Sequence, residues 1–326
     1  MKKKNEVIRF FINLGAFLCV LILVDQLLGR LFFRLYFGQK VGPFHQITYA
    51  VDSAKQDIMV FGSSRAERHY SSTILSKNLG YKTYNFGVAG EKIVYSAALQ
   101  EVAFKRHIPK ILILDINPFD ISVDPTKYEK LSILIPYYSH HPELLKYIKE
   151  IGDFEELKLY SKIYPFNSIF FILAGATLFP NKQDKDDFGY IAQSGNMSAK
   201  EANQFKQRLL ERYTNLSTAA SPTDEKAKGY LIQFLDLAKK NNIKTFVVIS
   251  PMLFSESYKW NKELDQKVEI EKIIKRYPNV TYWDYSSDTY YNNHSEKFTD
   301  MLHLNKEGAE DFTNRLSMEI LKALKK

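Results

Sequence analysis

Five short runs of apolar and β-branched residues recur along this 326-residue chain. They span residues 57–61, 82–86, 110–116, 244–250 and 280–283. Each has the length and composition of a strand that is buried on both faces. Helical patterns lie between and after them, at residues 73–79 (closed by Gly80), 94–106, 228–241, 264–276 and 306–324. Because strands that alternate with helices form parallel sheets covered on both faces, the chain is predicted to adopt an α/β fold with a doubly wound parallel sheet.

The alternation stops between about residues 121 and 224. This stretch is rich in Tyr, Phe, Lys and Pro and has no recognisable parallel strand, so we expect a mostly helical insertion over the functional edge of the sheet. Its aromatic side chains either stack on sugar rings or form the core of the insertion, the commoner role of such clusters. These residues are Tyr137, Tyr138, Tyr164, Phe166, Phe170 and Phe171.

An apolar stretch at residues 7–24 follows Lys2, Lys3 and Lys4. It has about the length needed to cross a hydrocarbon core of roughly 30 Å. A cleavable signal peptide would also start this way, but no small-x-small cleavage site follows Val24, and a buried amphipathic helix is a further alternative. We predict an uncleaved membrane anchor over residues 1–30, a juxtamembrane linker over residues 31–55 and a folded domain over residues 56–326.

The charges that flank the apolar stretch predict its orientation. A basic N-terminus stays in the cytoplasm, which places the folded domain outside, in the periplasm or at the cell surface. Arg30 and Arg34 on the far flank weaken this asymmetry. Residues 31–37 are aromatic and basic, which is typical of a segment at the membrane surface.

Composition excludes several classes of function. The formal net charge of +8 comes from Lys and Arg spread along the whole chain, which does not predict a nucleic-acid surface. The only cysteine, Cys19, lies in the apolar stretch, so the rest of the chain has no thiol for a disulfide, a metal or a reaction. Adjacent histidines such as His140 and His141 point in different directions, so we expect a surface pair and no metal site. We predict no cofactor.

A serine motif follows the first predicted strand. Phe61-Gly62-Ser63-Ser64-Arg65 lies where the carboxyl edge of a parallel sheet carries its functional loops. Ser64 is a weak nucleophile unless a base takes its proton, so a histidine elsewhere in the chain has to reach it. Gly-Ser-Ser is also common in ordinary turns, and this tripeptide alone does not decide between the two interpretations.

A second motif supplies the missing base. Asp300-Met301-Leu302-His303 lies just before the C-terminal helical pattern. Residues three apart in a turn can point the same way, so the Asp300 carboxylate can accept from His303 Nδ1 while Nε2 faces the serine. The alternative is that Asp300 caps a turn and His303 is an ordinary, partly buried histidine.

These two blocks resemble those of the SGNH (GDSL-like) hydrolases, which open with a Gly-Asp-Ser-like block and close with Asp-x-x-His before the last helix. The resemblance covers roughly residues 57–120 and 244–326. It implies a flavodoxin-like three-layer α/β/α fold, with Ser64 as nucleophile, His303 as base and Asp300 orienting it, so that an acyl-enzyme forms.

The oxyanion donors implied by the resemblance are the backbone N–H groups of Ser64 and Gly90. Gly90 ends the block Asn85-Phe86-Gly87-Val88-Ala89-Gly90 after strand two, and Gly87 is the fallback. The family's Gly-x-Asn-Asp block is replaced by Asp115-Ile116-Asn117-Pro118, so only Asn117 matches as a third donor. A glycine lets the backbone approach the oxyanion without a side chain in the way.

Ser63 replaces the usual aspartate, which resembles the Gly-Ser-Ser-Arg form of anchored bacterial relatives associated with modifying cell-envelope polymers. The sequence therefore predicts an esterase or O-acyltransferase that acts on acyl, mainly acetyl, esters of an envelope polysaccharide. A lipid esterase and a catalytically silent scaffold are the alternatives, and protein partners stay unidentified. Arg65 can bind an anionic substrate group, although Arg65, Glu67, Arg68 and His69 also fit a solvated polar turn with local ion pairs.

Overall fold

Five parallel strands form a sheet in the order β2-β1-β3-β4-β5. The strands are β1 (Ile58–Phe61), β2 (Thr83–Asn85), β3 (Ile111–Asp115), β4 (Lys244–Ile249) and β5 (Val280–Asp284). In the register of the sheet, Val60 lies beside Asn85 on one side and Ile113 on the other. The predicted α/β fold is confirmed, and the strand order is that of flavodoxin-like sheets, in which functional loops gather where the order reverses, between β1 and β3.

The computed structural model describes residues 2–124, 126, 128–179, 188–214, 222–253 and 261–325. Its helices are α1 (Lys2–Phe37), α2 (Gly42–Asp52), α3 (Ser64–His69), α4 (Ser72–Leu79), α5 (Ile93–Arg106), α6 (Leu145–Ile148), α7 (Glu155–Lys158), α8 (Phe170–Leu178), α9 (Ala199–Thr214), α10 (Glu225–Lys240), α11 (Asn261–Ile274), α12 (Thr289–Asn292) and α13 (Lys306–Leu324). Short 3₁₀ helices span Pro118–Ile121, Glu129–Tyr137, Pro142–Leu144, Tyr164–Phe166 and Ser295–Lys297.

Helices cover both faces of the sheet. Successive side chains of a strand point to opposite sides, so the apolar strands need a packing partner on each face. Ile58 and Val60 of β1 belong to a core shared with α4 and α13. Phe61 points the other way, stacks on Phe86 with ring centroids 4.7 Å apart, and meets Phe234 of α10 edge-on. Helices α5 and α10 pack against each other on this second face. The three-layer arrangement is therefore the one predicted.

The insertion leaves and rejoins the α/β core at neighbouring points. An isolated antiparallel bridge pairs Ser122 with Thr223, and the Val123 N–H donates to the Pro222 carbonyl. The described residues between these two points are helices, turns and irregular segments without a strand of the sheet. Residues 188–197 run beside α3 and the loop that precedes α13, because Ile191 N–H donates to the Glu67 carbonyl and Met197 N–H to that of Phe298.

The contacts of the chain divide it into two compact units. The first comprises Met1–His45 and Leu131–Lys185, and the second comprises Gln46–Lys130 and Asp186–Lys326. The whole sheet lies in the second unit. In the first unit, α1 packs with α8 and with the turn Tyr164–Phe166.

The N-terminal helix is longer than the predicted anchor. Among the described residues, one helix, Lys4–Phe37, is long and apolar enough to cross a membrane, and none of its most apolar stretch is buried. That exposure does not fit a buried amphipathic helix. The predicted linker, residues 31–55, is helical to Phe37 and again over α2. Phe32 and Tyr36, one turn apart on α1, are buried, so this part of the helix is packed and not a free linker.

Candidate active site

Three residues from the two ends of the second unit form a hydrogen-bonded chain. Nε2 of His303 lies 2.8 Å from Oγ of Ser64. Nδ1 of the same ring lies 2.9 and 2.8 Å from the two carboxylate oxygens of Asp300. The structure therefore brings together Ser64, His303 and Asp300, although 239 positions separate the serine from the histidine. Such an arrangement lets imidazole take a proton from the serine while the carboxylate stabilises the imidazolium.

A tight turn places Ser64 at the carboxyl edge of the sheet. The strand β1 ends at Phe61, Gly62 adopts φ +143°, and Ser64 is the first residue of α3. A side chain at Gly62 would meet the Asp115 carbonyl oxygen at 2.5 Å and the Ala66 Cβ at 2.8 Å. Only glycine adopts this φ readily and also fits this space. The glycine of the serine motif thus has a steric role that is independent of chemistry.

Asp300 is a carboxylate held by its own turn. Besides His303 Nδ1, its Oδ1 accepts the backbone N–H groups of Leu302 at 2.8 Å and of His303 at 3.0 Å. Partial burial alone would raise the pKa of Asp300, but the hydrogen bonds from the His303 side chain and from these N–H groups outweigh it and lower that pKa. Asp300 therefore stays ionised at neutral pH, as the orienting member of a triad must. Asp300 also caps the turn by accepting these two N–H groups, so capping of the turn and the hydrogen bond to His303 occur together.

The proposed oxyanion donors differ in whether they already donate a hydrogen bond. Over the described part of the chain, neither the Ser64 N–H nor the Gly90 N–H has an acceptor. Gly87, the fallback, already donates its N–H to Oδ1 of Asn85 at 2.9 Å. Asn117 uses its Oδ1 to cap the helix Pro118–Ile121 through the Phe119 N–H. This bond does not engage Nδ2, the atom with which Asn117 would donate to an oxyanion, so among the described residues Gly87 is the one candidate whose donor is already occupied.

Arg65 lies in the interior and not in a solvated turn. Its side chain is 2% exposed, and its Nη2 lies 3.2 Å from Oδ1 of Asp115 and donates to the Ile116 carbonyl at 2.9 Å. Oδ2 of Asp115 accepts from the Tyr70 hydroxyl at 2.6 Å and from the Ser250 N–H at 3.2 Å. This network joins the residue after Ser64 to the ends of β3 and β4. The structure gives Arg65 no exposed surface with which to bind a substrate.

His69 is a second buried histidine at this edge. Its Nε2 accepts the N–H of Leu304 at 3.0 Å, so its proton lies on Nδ1, which is 3.0 Å from Oγ of Ser250. Burial, the Arg65 charge and the His303 charge hold the pKa of His69 well below its usual range. His69 is therefore a neutral support for the loop that carries His303. The expectation of a solvated polar turn is wrong for Arg65, Glu67 and His69, because the turn lies beneath other segments.

Glu67 connects α3 to the loop that contains Gly87 and Gly90. Its Oε1 accepts the N–H of Ala89 at 3.4 Å, and its side chain is largely buried. Burial raises the pKa of Glu67, and the nearby Arg68 charge opposes that rise. Gly87 passes so close to the Glu67 backbone that a side chain there would collide with it. The segment with the free Gly90 N–H is thus held beside the start of α3.

Sequence reasoning missed the network around Asp115, Tyr70 and Ser250. One signal was present: β3 is apolar except for its last residue, and a carboxylate at the end of a buried strand needs partners. The tyrosine and serine follow other segments and carried no comparable signal. In the first unit, Tyr137 and Phe166 are core residues, whereas Phe171 is exposed and His140 lies at the surface against Phe33 and Phe37.

Metal ligation has no support in the described residues, among which no three His, Cys, Asp or Glu side chains gather closely enough to hold an ion. The chemistry available at this edge is that of a serine, an imidazole, a carboxylate and backbone N–H groups.

Comparison with known proteins adds little to this geometry. No protein-family model matches the chain, and no curated protein matches it. Three solved structures are similar at 11–12% identity. One is a protein described as a platelet activating factor from Streptococcus pneumonia (11% identity, TM-score 0.37, 94% of this chain and 97% of that one). The others are an acylhydrolase from Bacteroides fragilis (11%, 0.40, 85% and 94%) and an acetyl xylan esterase (12%, 0.37, 82% and 98%). Similarity at this level assigns no activity, so the chemistry is inferred from the site itself.

Proposed function

We propose that the chain is a membrane-anchored serine esterase or O-acyltransferase of the SGNH kind. The observation that carries the proposal is the hydrogen-bonded chain Ser64–His303–Asp300 at the carboxyl edge of a parallel sheet. Serine, imidazole and carboxylate in this order are the working parts of acyl transfer on several unrelated folds. The motifs in the sequence and the distances in the structure support the same assignment.

The first half of the reaction forms an acyl-enzyme. His303 Nε2 takes the Ser64 proton while Oγ attacks the ester carbonyl, and the carbonyl oxygen becomes an oxyanion. The N–H groups of Ser64 and Gly90 are free to stabilise that charge. Collapse of the intermediate breaks the bond to the leaving alcohol, which receives the proton from His303. Asp300 stays ionised throughout and stabilises the imidazolium.

The second half distinguishes two enzyme classes. Water that gives its proton to His303 releases the free acid and regenerates Ser64, which is hydrolysis. A sugar hydroxyl in place of water gives a new ester, which is acyl transfer. We propose acyl, mainly acetyl, esters of a cell-envelope polysaccharide as substrate, with the α/β domain outside the cytoplasmic membrane and residues 1–30 as its anchor. The resemblance to anchored bacterial relatives and the apolar helix support this choice.

Labelling with a fluorophosphonate probe tests the activated serine. We expect detergent-solubilised full-length protein to be labelled, and Ser64→Ala and His303→Ala to abolish labelling. Ser63→Ala is the matched control, because Ser63 precedes the nucleophile and its side chain makes no capping bond. His294→Ala is the histidine control, since His294 is exposed and pairs with Glu296. Folded wild-type protein that takes no label would instead support a silent scaffold.

A substrate panel then separates the esterase classes. We expect release of acetate from acetylated sugars to exceed release of fatty acid from long-chain esters. Added oligosaccharide acceptor diverts the acyl group from water if the protein is a transferase. Faster turnover of long-chain lipid esters would contradict the polysaccharide assignment and leave the serine mechanism intact.

A further inference from the structure

A cavity of about 410 Å³ lies in the first unit, and none of its lining residues belongs to the Ser64–His303–Asp300 chain. Its walls come from the second half of α1 and from the segments around residues 135–140 and 159–166. Phe33, Ile135 and Phe166 supply an apolar side. Gly29 lets the Lys162 segment approach α1, because a side chain at this position would collide with the Lys162 backbone. The cavity is therefore a built feature of the packing between α1 and the insertion.

The polar side of the cavity is basic. Arg30 and Arg34 lie one helical turn apart on α1, and Lys162 and His140 also line the cavity. Within the described ranges, no carboxylate forms an ion pair with Arg30, Arg34 or Lys162. The nearby acid, Asp25, is already engaged by Oγ of Ser161 at 2.5 Å and by the Lys162 and Ile163 N–H groups at 2.9 and 3.2 Å. Three basic side chains thus line an apolar-walled space, and no described carboxylate forms an ion pair with them.

The position of these cations along α1 indicates a source for the anion. If the apolar stretch 7–24 crosses the hydrocarbon core, its rise of about 1.5 Å per residue gives about 27 Å, close to the core thickness of roughly 30 Å. Arg30 then lies about 9 Å, and Arg34 about 15 Å, beyond residue 24 along the helix. The headgroup layer is about 5–8 Å thick on each side, so both arginines start near or beyond its outer edge, from which long basic side chains extend back toward phosphate.

Exposed apolar and aromatic residues lie on the segment that leads to the cavity wall at Leu159 and Ser161. Phe154, Leu157 and Tyr160 are 75%, 64% and 80% exposed, on the segment that leads into the Ser161–Ile163 contact with Asp25. Aromatic and aliphatic side chains of this kind settle at the boundary between headgroups and acyl chains. They extend the membrane contact of α1 to the insertion.

We propose that this cavity binds the phosphate-bearing headgroup of an anionic phospholipid, with Arg30, Arg34 and Lys162 holding the phosphate. The proposal rests on α1 crossing a membrane and is independent of the chemistry at Ser64. The bound lipid would fix the insertion to the membrane surface.

Native mass spectrometry of the full-length protein in a neutral detergent tests the site. Phosphatidylglycerol, phosphatidylcholine with the same acyl chains, and inorganic phosphate are added separately. We expect tighter binding of phosphatidylglycerol than of phosphatidylcholine. Arg30→Gln and Arg34→Gln should each weaken phosphatidylglycerol binding roughly fivefold, and the double variant roughly 25-fold, with phosphatidylcholine unaffected. Raised salt should reduce the preference in the wild-type protein.

Lys40→Gln/Lys55→Gln is the matched control, because it removes the same charge from exposed positions outside the cavity. Equal binding of the two lipids, or an unchanged preference in a folded double variant, would overturn the proposal. Inorganic phosphate that binds as tightly as phosphatidylglycerol would show a soluble-anion site and also overturn it. If the double variant does not fold, the two single variants and the salt dependence of the wild type decide. No readout depends on Ser64, so failure here leaves the proposed reaction untouched.

Discussion

Asp300 is hydrogen-bonded to His303 from a position that is half open to solvent, since its side chain is 55% exposed. The hydrogen bonds from the His303 side chain and from two N–H groups outweigh its partial burial, lower the pKa of Asp300 and hold the ionised carboxylate in place. Asp300→Asn keeps the shape but can stabilise the wrong imidazole tautomer. We expect kcat to fall by up to roughly 10⁴-fold, the effect of this change in a buried triad. Steady-state ester hydrolysis checks this, with Asp265→Asn as an exposed acid control on α11.

The burial of Glu91 predicts that the stability of the protein depends on pH. Its side chain is 4% exposed, and burial raises the pKa of Glu91 to about 8 against the opposing charge of Lys130. Below pH 4.5 the group is protonated in both states. Between that pH and about 8 the folded state keeps a proton that the unfolded state has lost, so stability falls as pH rises.

We expect Glu91→Gln to remove this slope. Thermal unfolding of wild type and variant should agree near pH 4 and diverge as the pH rises, with the variant several degrees more stable above about pH 8. The half-exposed Glu310→Gln serves as control. A constant difference between wild type and variant across this range would show that Glu91 titrates normally.

At the scale of single residues, the sequence predicted the groups that lie in short motifs at the ends of strands and helices. Ser64, Asp300 and His303 follow recognisable strand and helix boundaries, so their meeting could be expected. Arg65 could not be placed this way, because an arginine after a serine is equally compatible with solvent and with a buried partner. Its burial depends on Asp115, which comes from a different strand.

At the level of secondary-structure elements, the turn before α13 depends on one side chain, that of Asn305, which makes three hydrogen bonds to the backbone. Asn305 caps this helix by accepting the Gly308 N–H at 2.9 Å, and its Nδ2 donates to the carbonyls of Gly195 and Glu296. Asn305→Ala should lower the free energy of unfolding by about 1 kcal/mol for the cap and about 1 kcal/mol for each further bond. It should also slow fluorophosphonate labelling, because His303 lies in the turn that Asn305 holds.

Asn305→Asp separates the two contributions, since it keeps the cap acceptor and loses both donors. We expect it to recover at most the cap energy in urea unfolding, because a carboxylate oxygen then faces the Gly195 and Glu296 carbonyls to which Nδ2 donated. Asn314→Ala on the exposed side of α13 is the control and should change little. Equal stability of Asn305→Ala and wild type would mean that the cap is dispensable.

The elements of the sheet were predictable because their signals are local. All five strands and the helices α4, α5, α10, α11 and α13 match the predicted ranges to within three residues. The region after the anchor was not predictable in the same way. Helix α2 lacks a strong pattern of its own, and the second unit stabilises its end through Arg106, which donates to the carbonyls of Ala50, Val51 and Ala54.

For the whole molecule, the sequence indicated an anchor, an α/β core and an insertion, but not how the insertion is shared. Part of it belongs with α1 in the first unit, and residues from 186 onward belong with the sheet. The division depends on specific contacts, such as Asp25 with the Ser161–Ile163 segment. The sequence around Asp25 gives no indication that the aspartate binds a segment more than 130 residues later.

Membrane topology is the last property that the charges predict. Lys2, Lys3 and Lys4 precede the apolar helix, so residue 4 should be cytoplasmic and the sheet external. Because Cys19 is the only cysteine, Cys19→Ser gives a background for single reporters at the exposed positions Lys4→Cys and Lys55→Cys. In intact spheroplasts of a bacterial host, a membrane-impermeant maleimide should label the reporter at 55 and not the one at 4, and lysis should expose both. The reverse pattern would place Ser64 in the cytoplasm, where an envelope polysaccharide is out of reach. Labelling of both before lysis would mean that α1 does not cross the bilayer, and the lipid site inferred at Arg30 and Arg34 would lose its depth argument.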